Sequence, residues 1–314
     1  MTVRVVFMGT PDFAVPILQA LVEGPYQVVG VVTQPDRPKG RRRILTAPPV
    51  KKVAVELGIP VYQPERLRDP ESVRQVHALR PDLIVTAAYG QILPESILAK
   101  PTYGCINVHA SLLPKYRGGA PIHWAIINGE KETGISIMYM VKEMDAGDIL
   151  AQQAIPISKQ DHVGSLHDRL SQLGAEMIKE LLPSLIKGEV QPVPQDHRQA
   201  TYAYNIRPED EWIDWSQTAE QIDCRIRGLH PWPVASTSWQ QKRLKIWWGE
   251  PIAEHSTQPP GTILKMENDG IFVATGKGIL KITELQLAGR KRMSTAVFLG
   301  GTQMKVGERL GDEQ

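Results

Sequence analysis

The chain contains little cysteine, no long apolar run and almost no excess charge. Only two cysteines, Cys105 and Cys224, occur among 314 residues, and their separation matches no metal-ligand spacing. We therefore expect neither a disulfide framework nor a metal site, which is typical of a reducing cytoplasm. No apolar run is long enough to span a bilayer, and the first residues run directly into a strand pattern. We expect no membrane contact and no signal peptide.

The glycine-rich loops that bind nucleotide cofactors are also missing. Met8–Asp12 follows the first predicted strand and holds one glycine, whereas a dinucleotide-binding fingerprint needs three in a fixed spacing. No phosphate-binding loop ending in Lys-Ser or Lys-Thr occurs either. These absences disfavour a nicotinamide or flavin cofactor.

The charge is unevenly distributed, although the net charge is only +2. Arg37–Arg43 places five cations in seven residues, and Arg290–Arg292 forms a second basic cluster. A basic run is as often a solvated loop as a binding surface, so charge alone leaves both interpretations open.

Short apolar runs alternate with helical patterns in the first part of the chain. The predicted strands are 3–7, 28–33, 83–88, 106–108 and 135–141, and the predicted helices are 14–23, 49–57, 71–79, 122–128 and 163–187. This alternation predicts an α/β domain with a Rossmann-like, open and mostly parallel sheet.

The composition changes after residue 189, and the length of the chain favours two domains. We expect a first domain at 1–189, a linker rich in proline and polar residues at 190–207, and a smaller domain at 208–314. Short alternating runs in the last segment predict a small β-barrel. Six of the seven tryptophans lie there, where they can fill a barrel core or stack on nucleic-acid bases.

Three polar side chains around residues 107–145 have the properties that acyl transfer needs. Asn107 and His109 are two residues apart on a predicted strand, so they face the same side of it. Asp145 follows about one strand and one turn later. An amide donor can stabilise an oxyanion, while an imidazole and a carboxylate can move a proton. A histidine at a strand end is more often structural than catalytic, so this pattern is weak by itself.

The loop at 111–121 adds to this pattern. Gly118 and Gly119 permit backbone conformations closed to other residues, and Pro114 and Pro121 stiffen the loop. A rigid irregular loop beside polar side chains is typical of a ligand site, although a plain connector remains an alternative.

Several motifs resemble the formyltransferase family that uses 10-formyltetrahydrofolate. They are Asn107-x-His109, Ser111–Pro114, Arg117-Gly118 and Asp145–Asp148, together with Val5–Pro16, Thr33–Gly40, Thr201–Ala203, Ile213–Trp215 and Pro231–Pro233. The last five resemble the branch that formylates the α-amino group of methionine on initiator tRNA, for translation initiation. The resemblance extends from about residue 3 to about residue 305 and makes the combination specific.

The resemblance implies an enzyme whose C-terminal domain is an OB-like barrel that binds tRNA. Its implied catalytic residues are Asn107, His109 and Asp145, and its implied folate contacts are Ser111, Leu112, Leu113, Pro114, Tyr89, Gly90, Gln91 and Ile92. The implied tRNA contacts are Arg37, Lys39, Arg41, Arg42, Arg43, Arg290, Lys291 and Arg292. Arg117 is expected to meet the folate tail or the substrate. Asn205 stands where the family usually has lysine, which puts one tRNA contact in doubt.

Three alternatives remain open from the sequence. A formyltransferase for a small amine and a hydrolase of the same folate would both keep Asn107, His109 and Asp145. An RNA-binding protein with an inactive α/β domain is the third. We expect a cytoplasmic monomer, since one chain suffices to hold a long asymmetric substrate.

Overall fold

The computed structural model describes residues 2–40 and 42–311, and the chain forms two compact units. The first unit comprises Met1–Pro121, Thr133–Ile155 and His167–Tyr204, and the second comprises Ile122–Glu132, Pro156–Leu166 and Asn205–Gln314. The helices are α1 (Val15–Glu23), α2 (Pro49–Glu56), α3 (Pro70–Ala78), α4 (Glu95–Leu98), α5 (Pro121–Ile127), α6 (Val163–Lys187), α7 (Ala219–Gly228) and α8 (Thr295–Gly300).

The first unit is built on a seven-stranded sheet. The strands of this unit, which include two that lie outside the sheet, are in chain order β1 (Arg4–Gly9), β2 (Gln27–Val32), β3 (Arg37–Lys39), β4 (Ile44–Thr46), β5 (Val61–Tyr62), β6 (Leu83–Ala87), β7 (Cys105–His109), β8 (Glu132–Tyr139) and β9 (Ile149–Pro156). The sheet has the order β5-β2-β1-β6-β7-β8-β9, and the pairs from β5 to β7 are parallel. The expectation of an open, mostly parallel sheet is confirmed.

The central strands of this sheet are buried on both faces. Every residue of β6 is buried, and so are five of the six residues of β1. A strand covered on both faces reads as a continuous apolar run, and this is why the sequence predicts these strands well. The carboxyl ends of β1, β6 and β7 meet at one edge of the sheet, where α/β proteins bind ligands.

Strand β8 runs antiparallel to β7, although the sequence pattern placed it among the parallel strands. In the observed register, His109 faces Ser136 and Ile106 faces Tyr139. A parallel neighbour needs a crossover that carries the chain back along the strand. Helix α5 has seven residues and spans only about 10 Å, which is shorter than β7. The chain therefore enters β8 beside the end of β7.

Strands β3 and β4 form a separate two-stranded antiparallel hairpin. Arg37 faces Thr46 and Lys39 faces Ile44, while the turn between them contains Gly40 with φ +70°. The sequence analysis treated this basic segment as a loop, because short exposed strands with proline and charged residues show no apolar alternation.

The second unit contains an antiparallel sheet. Its strands are β10 (Ser236–Trp239), β11 (Lys242–Ile252), β12 (Ile263–Glu267), β13 (Gly270–Ala274), β14 (Ile279–Leu287) and β15 (Met293–Ser294). They follow the order β10-β11-β14-β13-β12, and β15 pairs with β14. An antiparallel sheet domain thus lies where the alternating runs predicted a small β-barrel. Trp215 and Trp239 lie in its core, whereas Trp232 is 45% exposed.

The described residues contain neither a membrane-spanning helix nor a cluster of metal-binding side chains. Within 2–40 and 42–311, no helix has the length and apolar character needed to cross a bilayer. The same residues contain no group of three or more His, Cys, Asp or Glu side chains arranged to hold a metal ion.

A pair of histidines lies in the core region of the second unit. The His230 ring is 8% exposed and lies 4.5 Å from the His162 ring, measured between centroids. Its Nδ1 donates to the Trp247 carbonyl at 3.0 Å. Burial lowers the pKa of His230, and the facing His162 lowers it further. The folded chain therefore resists protonation of this ring.

We expect the free energy of unfolding to fall as the pH drops through about 6.5, the usual histidine pKa. The unfolded chain binds a proton on His230 at a higher pH than the folded chain does, so acid favours unfolding. In urea titrations at a series of pH values, His230→Asn should flatten this dependence. The exposed His255 provides the control, His255→Asn. Equal slopes for wild type and His230→Asn would contradict the assignment.

Candidate active site

The structure brings His109 and Asp145 together near the end of β7. His109 is the last residue of that strand, and Asp145 lies in the loop between β8 and β9. His109 Nδ1 is 3.7 Å from Asp145 Oδ2, and the two side chains are 7% and 15% exposed. Asn107 lies two residues before His109 on the same strand, so it faces the same side of the sheet.

Hydrogen bonding assigns the neutral tautomer of His109. Its Nε2 lies 2.9 Å from the carbonyl oxygen of Tyr116, which can only accept. Nε2 therefore carries the proton, and Nδ1 faces Asp145.

A buried threonine on β6 orients the Asn107 amide. Thr86 Oγ1 donates to Asn107 Oδ1 at 2.7 Å, and Thr86 is 2% exposed. Because Oδ1 accepts this bond, the amide nitrogen points away from Thr86. Within the described part of the chain, Nδ2 has no hydrogen-bond partner. The site thus has an oriented donor that a ligand can use.

Asp145 adopts a left-handed backbone conformation with φ +49°, which is uncommon for a residue other than glycine. Its Oδ2 accepts a hydrogen bond from the Gly118 N–H at 2.8 Å. Its Oδ1 has no hydrogen-bond partner among residues 2–40 and 42–311. The carboxylate is therefore fixed through one oxygen and open through the other.

Gln195 clamps the loop that carries Asp145. Its Nε2 donates to the carbonyl of Asp145 at 2.9 Å and to that of Gly147 at 2.7 Å. Its Oε1 accepts from Arg117 Nε at 3.2 Å and from the Nη2 of the same residue at 2.6 Å. Gln195 and Arg117 are 6% and 4% exposed. Since arginine only donates, it forces the amide nitrogen of Gln195 toward the loop.

The sequence analysis missed Gln195 and placed Arg117 against the folate tail or the substrate. The Arg117 guanidinium is instead buried and bonded to Gln195, and its Nη2 also lies 3.1 Å from His197 Nδ1. Gln195 lies in a stretch whose composition is typical of a linker, so no sequence pattern marked it.

Two glycines allow the loops to approach this closely. A Cβ added to Gly147 would lie 1.9 Å from the carbonyl oxygen of Tyr139. Gly118 has φ +115°, and its Cβ would lie 2.8 Å from the carbonyl oxygen of Ala203. Any side chain at either position would displace the segment that holds Asp145.

The predicted folate loop at 111–114 is held by hydrogen bonds to Lys115 and to Ser136 of β8. Ser111 Oγ donates to the Lys115 carbonyl at 2.7 Å, and Ser136 Oγ donates to the Ser111 carbonyl at 2.7 Å. The Leu113 N–H donates to Ser136 Oγ at 3.0 Å. Leu112 and Pro114 are half-buried. The loop has a fixed shape, and its role in folate binding stays a prediction.

The second predicted folate segment, Tyr89–Ile92, divides between the interior and the surface. Tyr89 lies in a core cluster, and in the described part of the chain its hydroxyl has no partner. Burial raises the pKa of this phenol. Gln91 bonds to the Leu67 N–H and the Pro64 carbonyl, whereas Ile92 is 85% exposed. Gly90 between them has φ +87°. Only Ile92 presents its side chain to solvent.

The predicted tRNA contacts are exposed, and two of them have acidic partners. Arg37 lies 2.8 Å from Glu65, and Arg292 pairs with Glu284. The other exposed cations are Lys39, Arg42, Arg43, Arg290 and Lys291. Arg41 lies outside the described residues. Contacts with RNA stay a prediction for all of these residues.

We expect Gln195→Ala to destabilise the protein by about 1–3 kcal/mol, because it removes the acceptor of two hydrogen bonds from the buried Arg117 guanidinium and the donor to two loop carbonyls. Amide hydrogen exchange should rise at residues 145–148 in this variant. Urea unfolding and exchange mass spectrometry measure both effects. Gln199→Ala, at an exposed glutamine of the same segment, is the control. Unchanged exchange at 145–148 would show that Gln195 does not hold the loop.

Comparisons with known proteins agree on one family. Residues 2–182 match the family model described as formyl transferase, and residues 205–303 match that of the formyl transferase C-terminal domain. The chain is 56% identical to the methionyl-tRNA formyltransferase of Halalkalibacterium halodurans over 99% of each chain. It is 55% identical to that of Bacillus subtilis over 98% of each chain.

A solved structure has the same fold. WlaRD, a sugar 3N-formyl transferase, gives a TM-score of 0.66 at 18% identity and covers 93% of this chain and 100% of its own. The likeness at this identity concerns the fold. The family itself is shown by the two family models and by the relatives of 55–56% identity. The chain belongs to the formyl transferase family, in the branch whose curated members are named methionyl-tRNA formyltransferase.

Proposed function

We propose that this chain transfers the formyl group of 10-formyltetrahydrofolate to the α-amino group of methionine on initiator methionyl-tRNA, for translation initiation. One observation of geometry carries the proposal. The site that contains His109 holds one donor, Asn107 Nδ2, and one acceptor, Asp145 Oδ1. Neither atom has a hydrogen-bond partner in the described part of the chain. Formyl transfer needs a donor for an oxyanion and an acceptor for a proton.

The first chemical step forms a bond between the neutral α-amine and the formyl carbon. The formyl oxygen takes the displaced electron pair and becomes an oxyanion. Asn107 Nδ2 donates to this oxygen, and the His109 imidazole adds to its stabilisation. Donors positioned in advance stabilise such charge more effectively than water, which must reorganise.

The second step removes a proton from the attacking nitrogen and breaks the bond to N10 of the folate. Asp145 Oδ1 accepts the amine proton, while Oδ2 stays bonded to Gly118 and faces His109. The electron pair of the broken bond returns to N10, which takes up the proton that left the amine, so that Asp145 ends the reaction as it began. The products are tetrahydrofolate and formylmethionyl-tRNA, and no metal takes part.

The folate co-substrate is expected to lie along Ser111, Leu112, Leu113 and Pro114 and along Tyr89, Gly90, Gln91 and Ile92. The hydrogen bonds that tie both segments to neighbouring residues support this role, because a rigid loop presents its backbone groups to a flat ring without further ordering. The exposed side chain of Ile92 offers an apolar contact for that ring.

For the RNA, we propose a catalytic domain at 1–189, a linker at 190–207 and a tRNA-binding domain at 208–314. The exposed cations of the β3–β4 hairpin and of Arg290–Arg292 are suited to phosphate contacts. Asn205 supplies no charge in the linker. We further propose that the enzyme acts in the cytoplasm. It acts as a monomer, since one chain suffices to hold a long asymmetric substrate such as initiator tRNA.

Acceptor choice tests the proposal directly. Pure protein is mixed with 10-formyltetrahydrofolate and with methionyl initiator tRNA, methionyl elongator tRNA or water alone. Folate turnover is followed by absorbance, and the aminoacyl end is followed by mass spectrometry. We expect formylation with the initiator tRNA. Folate turnover in water alone would identify a hydrolase, and turnover only with small amines would identify a formyltransferase of another class.

We expect His109→Ala and Asp145→Asn each to lower kcat by about 100- to 1000-fold, because each removes a group that acts on the transition state. Circular dichroism and the unfolding temperature should stay close to wild type. Asp69→Asn, at an exposed carboxylate, is the matched control. Near-wild-type kcat in either active-site variant would contradict its role.

We expect Arg42→Ala to raise KM for methionyl-tRNA by about tenfold at low salt, with little change in KM for the folate. A phosphate contact also contributes about one ion to the salt dependence, so the slope of log(kcat/KM) against log salt should decrease by about one. Lys187→Ala removes the same charge from the exposed end of α6. Equal effects of Arg42→Ala on both substrates would mean that the hairpin is structural.

A further inference from the structure

A cavity of about 510 Å³ in the first unit lies beside the loop that carries Asp145. Its lining includes Val141 and Met144, which precede Asp145, and Ala146, Gly147 and Asp148, which follow it. Asp145 itself does not line the cavity, so a molecule there lies against the loop on either side of the carboxylate. Of the side chains that line the cavity, only Arg117 was expected from the sequence to meet a ligand.

Tyr202 also lines the cavity, and it belongs to an exposed aromatic pair. Tyr202 and Tyr204 are stacked, with ring centroids 6.0 Å apart and planes inclined by 14°. The two residues are 52% and 68% exposed. Flat aromatic faces open to water are the surfaces on which unpaired nucleobases stack.

The aromatic pair is joined to the catalytic loop through the backbone. The Ala203 N–H donates to the Arg117 carbonyl at 2.7 Å, and the Arg117 N–H donates to the Thr201 carbonyl at 2.9 Å. The next residue, Gly118, donates to Asp145. These bonds fix the position of Tyr202, and of a base stacked on it, relative to Asp145.

The polar groups around the cavity favour a nucleoside over the folate tail. Since Arg117 Nη2 can only donate, His197 Nδ1 accepts from it, and Nε2 carries a proton that has no partner among the described residues. The Asp148 carboxylate is likewise without a partner in that part of the chain and can accept from a ribose hydroxyl or an amino group. Glu143 and Asp148 line the cavity together with one cation, the buried Arg117, so its carboxylates outnumber its cations, which disfavours the anionic glutamate of a folate.

We propose that this cavity receives the 3′-terminal adenosine of methionyl-tRNA, with its base stacked on Tyr202. The inference rests on the function proposed above. In that substrate, the α-nitrogen is three bonds from the ester oxygen of the terminal ribose. When the amine reaches Asp145, the terminal nucleoside must therefore lie beside the Asp145 loop, where the cavity is.

The test compares two methionylated initiator tRNAs, one ending in adenosine and one ending in a ribose without a base. Each is assayed with wild type, Tyr202→Ala and Tyr202→Phe. On the adenosine-ended tRNA, Tyr202→Ala should lower kcat/KM by about 5- to 150-fold, the loss expected for one base–aromatic stack. Tyr202→Phe keeps the ring and should stay close to wild type. On the base-less tRNA, all three proteins should be equally slow.

Three results would overturn the inference. They are an equal loss for Tyr202→Ala on both tRNAs, a loss for Tyr202→Phe as large as for Tyr202→Ala, and a wild type that uses both tRNAs equally well. The last comparison needs no variant, so it holds even if Tyr202→Ala fails to fold. A rise confined to KM for the folate would assign the cavity to the folate tail. Failure of wild type to formylate any methionyl-tRNA would instead contradict the proposed function.

Discussion

The hydrogen bond from the Gly118 N–H to Asp145 Oδ2 is the contact on which the candidate site depends. It joins the loop after β7 to the loop after β8, and these two loops carry the parts of the site that lie outside the sheet. Asp145 has a left-handed backbone, which costs free energy and persists only when its surroundings hold it. The Gly118 bond holds its side chain, and Gln195 holds its carbonyl. The rigid sheet contributes the remaining side chains, Asn107 and His109.

Hydrogen bonds within the site leave one atom of Asn107 and one atom of Asp145 available to a ligand. Thr86 occupies one end of the Asn107 amide, and Gly118 occupies one oxygen of Asp145. Each bond fixes the orientation of the group and leaves its other atom for a ligand. Preorganised groups of this kind cost no reorganisation when charge develops. Supporting hydrogen bonds therefore determine which atoms can act on a substrate.

The sequence predicted what local pattern determines and missed what long-range packing determines. The buried strand β6 and the 25-residue helix α6 have apolar periodicities that fix their type, and α6 begins and ends where it was predicted. The β3–β4 hairpin lacks such a pattern because its residues are exposed. The antiparallel direction of β8 depends on how the strand pairs with β7 across the sheet, which periodicity does not report. Gln195 acts through carbonyls about fifty residues away in the chain, so no local motif could reveal it.

The most direct test of the account asks whether His109 and Asp145 act as one unit. The rate constants kcat/KM are measured for His109→Ala, for Asp145→Asn and for the double variant, with methionyl initiator tRNA and 10-formyltetrahydrofolate. Residues that act together give losses that do not multiply. The account predicts that the double variant is about as slow as the slower single variant. A double variant whose loss equals the product of the two single losses would contradict it.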